Sequence, residues 1–374
     1  MKLVDRHIAL RMLGNFILLF ALLYLFAVVI DVILNLDVFS KIAKSKLDEN
    51  AGIFSHVFAV IRVALGYHIP QFFQFYAWLW GILAIGAMAF TVTQMSRHRE
   101  LVALLAGGWN LQRVAMPLIL VACLLGSIQV LNQELVLPRL APLLLRNHDQ
   151  AGQPGVHSFP VPITVDSNSR LLQAASFDPV TSTLGQLSFI ERSPEGLAVR
   201  RIRAESAVWD QGRRGWILED GVAIELDRDE GGPARAMRPV DQTFVETDLS
   251  PRLLLMKRHG SLSGMLSVAQ LLDLLDGPET RESASLRRSL WNRFVAIGVN
   301  ILILMVAMPF FLDRLPTGLL KRTVSCAALV LPLYIVAAAV MLMPIPGVSS
   351  MVGVFLPLVV LMPLGFARFA WLNT

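Results

Sequence analysis

A chain of 374 residues could hold two or three domains, but 55% hydrophobic residues against 16% charged, with a mean hydropathy of +0.58, place it among membrane proteins. The net charge of +5 then reads as basic flanks of membrane spans, because no Lys/Arg cluster is interleaved with aromatics as a nucleic-acid groove requires. The two cysteines, Cys123 and Cys326, lie inside apolar runs and read as small packing residues rather than as a disulfide framework or metal ligands.

Lys2, Arg6 and Arg11 precede an uncharged run from Met12 to Ile30, long enough to cross the roughly 30 Å hydrocarbon core. It is too long for the apolar part of a signal peptide, and no small-x-small cleavage site follows, so it reads as a retained first span. The chain then turns polar from Leu36 to Arg62, with Lys41, Lys44, Lys46, Asp48 and Glu49. Val63 to Ser96 is again uncharged and is broken by Pro70. That length exceeds one span, which predicts an interfacial stretch over 53–69 and a second span over about 72–94. Tyr67, Tyr76, Trp78 and Trp80 cluster where an aromatic belt would lie.

Between the second and third apolar runs stands Ser96-Arg97-His98-Arg99-Glu100-Leu101-Val102-Ala103-Leu104-Leu105-Ala106-Gly107-Gly108-Trp109. Leu101, Leu104, Leu105 and Gly108 recur at i, i+3, i+4 and i+7, so a short helix over about 96–108 carries a narrow apolar stripe, with Arg97, Arg99 and Glu100 at its start. Gly107-Gly108 can close such a helix through a left-handed residue, and Trp109 suits an interfacial anchor. Two readings stay open here, an ordinary amphipathic loop and a helix that docks on something in the water phase. Val114 to Val136, uncharged except for Glu134, forms a third span, and Asn132-Gln133-Glu134-Leu135-Val136-Leu137-Pro138-Arg139 reads as its exit.

From residue 140 to about 260 charges recur every few positions, and short alternating runs are separated by turn residues, as in an all-β domain. The runs include Ile163 to Val165, Leu171 to Gln173, Leu187 to Ile190, Leu197 to Val199, Ile202 to Asp210, Gly215 to Leu218, Val222 to Leu226 and Thr243 to Val245. Gly260 to Gly277 reads as a short amphipathic helix around Leu266, Leu271, Leu272 and Leu275, closed by Gly277-Pro278. Three further apolar runs follow at about Phe294 to Leu312, Thr323 to Met343 and Val348 to Phe366. The domain plan is therefore 1–138 for three spans and the short amphipathic helix, 139–262 for the β-domain, and 263–374 for a connecting helix and three more spans. Composition supports a generic β-sandwich for the middle part.

No Gly-x-x-x-x-Gly-Lys-Ser/Thr occurs, nor any Gly-Lys pair, so the chain has no phosphate-cradling loop and hydrolyses no ATP on its own. His-Glu-x-x-His, Gly-x-Ser-x-Gly and Cys-x-x-Cys are also missing, and His68 reads as a satisfied interfacial residue. Spans nearly free of ionisable residues disfavour proton or ion coupling. Two function classes remain: the membrane half of a transporter driven by a separate ATPase, or a membrane-anchored periplasmic binding or scaffold protein. A scaffold needs only one or two spans, and six with an amphipathic link favour the transporter.

The segment polar-x-x-Glu100-Leu101-x-x-Leu104-x-Ala106-x-Gly108-aromatic resembles the cytoplasmic coupling helix of the LptF/LptG permease family, the membrane part of the lipopolysaccharide exporter. The Asn132 to Arg139 phrase resembles that family's exit from the third helix. Ile202 to Asp210 with Trp216 to Val222 resembles the repeat of its β-jellyroll domains, and the likeness extends from Asp5-Arg6 through all six spans. Leu36-Asp37-x-Phe39 and the Leu-x-x-Leu after Gly260 look closer to LptG than to LptF. The chain departs from the family pattern at Ile297, where a proline is frequent, and at Leu34, where some members carry a lysine.

The resemblance implies a multi-pass inner-membrane protein of a Gram-negative bacterium with both termini cytoplasmic and a periplasmic β-jellyroll-like domain. The charges alone leave orientation open, since basic residues are nearly balanced on the two sides. Implied partners are a cytosolic LptB-like ATPase dimer that binds ATP and Mg, a homologous LptF-like permease, an LptC-like membrane-anchored jellyroll, an LptA-like periplasmic bridge and lipopolysaccharide itself. This chain is then no enzyme and carries no cofactor. Arg97, Glu100, Leu101, Leu104, Leu105 and Gly108 are expected to couple to the ATPase. Lys41, Lys44, Lys46, Arg62, Arg287 and Arg288 are expected to meet lipid phosphates on the periplasmic side, and the first and fifth spans, the latter rich in alanine, to flank a lateral opening.

Overall fold

The computed structural model of the chain describes residues 3–45, 52–146, 148, 151, 158–193, 197–227, 235–236, 239–258, 262–275, 283–312, 319–343 and 347–372. The chain divides into two compact units, one of residues 1–40, 64–138 and 284–374, the other of residues 41–63 and 139–283. Among the described residues six helices are long and apolar enough to cross a membrane.

The first unit is a helical bundle. Its elements are α1 (Leu3–Leu34), the beginning of α2 (Leu36–Lys44), most of α3 (Ile53–Arg97), α4 (Glu100–Ala106), α5 (Leu111–Leu131), α9 (Ser283–Ala307), α10 (Leu319–Leu342) and α11 (Ser350–Trp371). In each spanning helix an uninterrupted apolar run satisfies its backbone groups internally, as a hydrocarbon solvent demands. The core runs from Ile8, Met12 and Phe16 of α1 through Met88 and Val92 of α3 and Leu118 of α5 to Ile303 of α9. Small residues set the closest approaches. A Cβ on Gly81 would lie 2.2 Å from Asn300 Oδ1, and one on Gly126 2.8 Å from Ile297 Cγ2, so α9 sits against α3 and α5 where only glycine leaves room.

Three expectations are corrected here. The stretch 53–69 is not an element separate from the second span: α3 is one helix of 45 residues that continues through Pro70. Loss of one amide donor is tolerable inside a helix whose other bonds hold. The Asn132 phrase does not end the helix, because Asn132–Val136 forms a π-turn and the helix runs on as α6 (Leu137–Leu144). The connecting region also holds more than one helix: α7 (Pro251–Arg258), a 3₁₀ turn at Leu262–Gly264 and α8 (Val268–Leu275). Its proposed Gly277-Pro278 end lies outside the described residues.

The second unit is built on an antiparallel sheet. Its strands are β1 (Phe159–Val165), β2 (Leu171–Asp178), β3 (Thr183–Arg192), β4 (Ala198–Asp210), β5 (Gly215–Glu219), β6 (Val222–Asp227), β7 (Arg235–Ala236), β8 (Val240–Asp241) and β9 (Phe244–Glu246). The main path is β1-β2-β3-β4-β5-β9, with β6 on the first half of β4 and β7 and β8 on β6. Thus one long strand joins the two runs read as 197–199 and 202–210. Inward positions alternate until the middle of the sheet, where they step by three: Ala174 and Phe177, Leu187 and Leu184, Ala204 and Ala207. These residues face one another across β2, β3 and β4, and Gln186 takes a left-handed φ of 52° at the same level. All three strands therefore change pleat phase together, which bends the sheet without losing register. Trp216, Phe177 and Phe189 fill the core beneath, closed by Leu253 and Leu254 of α7.

Candidate functional site

The amphipathic link forms one end of the helical unit. Arg97 is the last residue of α3, and Arg99 adopts a left-handed φ of 57° that turns the chain into α4. The helix is short, because Gly108 takes φ +78° while the amides of Trp109 and Gly108 donate to the carbonyls of Leu104 and Leu105. That is the closure by which a left-handed glycine ends a helix and satisfies its last carbonyls. Trp109 then carries Arg113 over its ring at 3.8 Å, and the Asn110 side chain caps α5 by accepting from the Gln112 amide.

Glu100, the first residue of α4, receives a hydrogen bond from Arg11 Nη1 of α1 at 2.5 Å. Leu101 is buried at 3% exposure, and Leu104 and Leu105 pack against the bundle core. Three of the four stripe residues named from spacing, Leu101, Leu104 and Leu105, thus face the bundle, while Gly108 is exposed and Val102, Ala103 and Ala106 face outward with Arg97, His98 and Arg99. Beside the ion pair a groove of about 350 Å³ is lined by Val4, His7, Ile8, Met95, Glu100, Ala103 and Leu104. Its lining joins one carboxylate and one imidazole to apolar side chains, a surface able to receive a protein of mixed character.

At the far end of α3 the polar groups are held inside the bundle. His68, 4% exposed, lies 3.4 Å from Asp31 and 3.2 Å from Gln71, and its carbonyl accepts from the Tyr24 hydroxyl. Asn132 of the π-turn donates to the Phe73 carbonyl at 2.9 Å, and Arg293 of α9 pairs with Glu134. The π-turn gives these two side chains their aim, since one extra residue in the turn rotates the helix face. Sequence reading missed this ion pair, whose members stand 159 residues apart.

The cations expected at lipid phosphates are not equivalent. Lys41 and Lys44 are exposed on the last turns of α2, and Arg62 and Arg287 are exposed on α3 and α9. Arg288 is instead buried, and Lys46 lies outside the described residues. No group of three or more His, Cys, Asp or Glu side chains that could hold a metal occurs among the described residues.

Among the described residues, six helices able to span a membrane, with a β-sheet unit inserted between the third and fourth, define a multi-pass membrane protein. The family model described as lipopolysaccharide export system permease LptF/LptG matches residues 6–371. The chain belongs to that family and is a transmembrane subunit of lipopolysaccharide export, a permease rather than the ATPase. No curated protein matches the sequence.

Proposed function

We propose that this chain takes the LptG-like role in a transporter that extracts lipopolysaccharide from the inner membrane and passes it to a periplasmic bridge. A separate cytosolic LptB-like dimer binds ATP and Mg, an LptF-like subunit completes the bundle, and LptC-like and LptA-like jellyrolls accept the lipid from the β-domain. The observation that carries this reading is the Arg11–Glu100 pair, which ties the short helix α4 directly to the first span. A movement imposed on α4 by an ATPase reaches the span that flanks the lipid path. The apolar faces of α1 and α10 support a lateral opening between them and a partner: Leu18, Leu22, Leu25 and Phe26 on one, Ile335 and Val336 on the other, are all uncovered. The exposed Lys41, Lys44, Arg62 and Arg287 supply charge-assisted bonds to lipid phosphates.

The test is co-purification of the detergent-extracted protein with a cytosolic ATPase. Wild-type chain brings the ATPase with it, and Glu100→Lys loses it while still inserting in the membrane. A protein that emerges alone, with no ATP-stimulated activity, would belong to the scaffold class instead.

A further inference from the structure

Arg288 stands one turn inside α9, six residues before the uncharged run that starts at Phe294, or about 9 Å along the helix axis. That is the depth of lipid headgroups rather than of acyl chains. Its side chain is 8% exposed, and Nη1 is buried with no hydrogen-bond partner. A guanidinium taken out of water without a counter-charge is costly, and none of the described residues supplies an anion to this one.

Four features around it describe that anion. Arg288 Nη2 lies 3.8 Å from where a Cβ on Gly353 would be, so the absent side chain leaves space over the guanidinium. Gly353 belongs to the first turn of α11, a helix of 22 residues whose cap, Ser349, satisfies the Val352 amide and whose dipole presents positive charge at the same place. Trp291, one turn on from Arg288, packs against Phe355 at 5.8 Å between ring centroids, an aromatic pair of the kind found at membrane interfaces. Below it, Leu356 and Val360 follow Gly353 at i+3 and i+7 on one face of α11 and are 42% and 60% exposed. A charged head and an apolar tail in line are the complement of a lipid. A partner subunit's carboxylate would need no such stripe.

We infer that Arg288, Gly353 and the first turn of α11 bind the phosphate of an anionic glycerophospholipid, whose acyl chain lies along Leu356 and Val360. The site retains a resident lipid and is separate from the exposed cations proposed for the transported one.

Native mass spectrometry of the delipidated, detergent-extracted complex with added phosphatidylglycerol or phosphatidylcholine tests this. Wild-type protein binds one phosphatidylglycerol per copy of this chain, about tenfold tighter than phosphatidylcholine, whose quaternary ammonium the guanidinium repels. Arg288→Gln removes that preference. Gly353→Ala, whose Cβ makes only ordinary contact, retains it, whereas Gly353→Leu abolishes it with the charge still present. Thermal melts supply a second readout, because Arg288→Gln is more stable than wild type without lipid and less stable with phosphatidylglycerol. Equal binding by wild type and Arg288→Gln would overturn the inference. So would stoichiometric displacement of phosphatidylglycerol by lipopolysaccharide, which would make this a substrate site, or a crosslink from position 288 to a partner subunit's carboxylate in lipid-free complex.

Discussion

At the scale of single residues, ion pairs with different surroundings have different consequences. Arg11 and Glu100 keep side-chain exposures of 25% and 37%, so their attraction is worth roughly 0.5 kcal/mol after solvent screening, too little to matter for folding. It matters as a link. Arg11→Gln should leave ATPase association within about threefold of wild type yet slow lipid export several-fold, while Glu100→Lys loses both; equal export by Arg11→Gln would remove α1 from the coupling path. Arg293 and Glu134 are more enclosed, and leaving either charge alone should cost about 3–5 kcal/mol in a thermal or denaturant melt. Replacing both by Met and Leu should restore most of that loss. In the β-unit, Asp166 is 5% exposed and accepts from the amides of Asn168 and Arg170, from Arg170 Nε at 2.7 Å and from Thr247. Asp166→Ala strands these donors and should destabilise that unit by about 3 kcal/mol, read as faster proteolysis of the 166–170 turn.

At the scale of elements, α4 shows how little helix suffices when both ends are defined. Seven residues are held by a left-handed entry at Arg99 and a glycine exit at Gly108, with Leu101 as the buried peg between them. A β-branched residue at φ +78° is strained by roughly 1–2 kcal/mol, more than so short a helix gains from its own bonds. Gly108→Val should therefore weaken ATPase co-purification without changing membrane insertion, and unaltered co-purification would show that partner contacts alone shape the segment. The periodicity that made α4 visible did not say what covers its stripe. Apolar spacing marks one face as dry, and a bundle dries a face as well as a partner does. The long reach of α3 and the π-turn after α5 were hidden for another reason. Pro70 and Asn132 are ordinary stop signals, overridden when flanking turns are held by neighbouring helices.

At the scale of the whole chain, the expectation drawn from the family, with α4 cytoplasmic and the β-unit periplasmic, is open to a labelling test. In a background lacking Cys123 and Cys326, Arg99→Cys and Asp220→Cys should react with a membrane-impermeant thiol reagent from opposite faces only. Labelling of both from one face would reverse that plan. The number of spans and the all-β insert were legible in the sequence, because a hydrocarbon solvent imposes a length on each apolar run and a half-buried sheet imposes alternation. Glu100 and Gly108 were legible too, the one as a charge at a helix start and the other as a closing glycine. Only the tertiary structure decided that Arg11 meets Glu100 across 89 residues, that Arg293 meets Glu134 across 159, and that Arg288 is enclosed while Arg287 is not. A spanning helix that is apolar on every side carries no local record of which face its neighbours will cover. That choice is made by long-range packing of glycines, aromatics and paired charges, at separations where periodicity is silent.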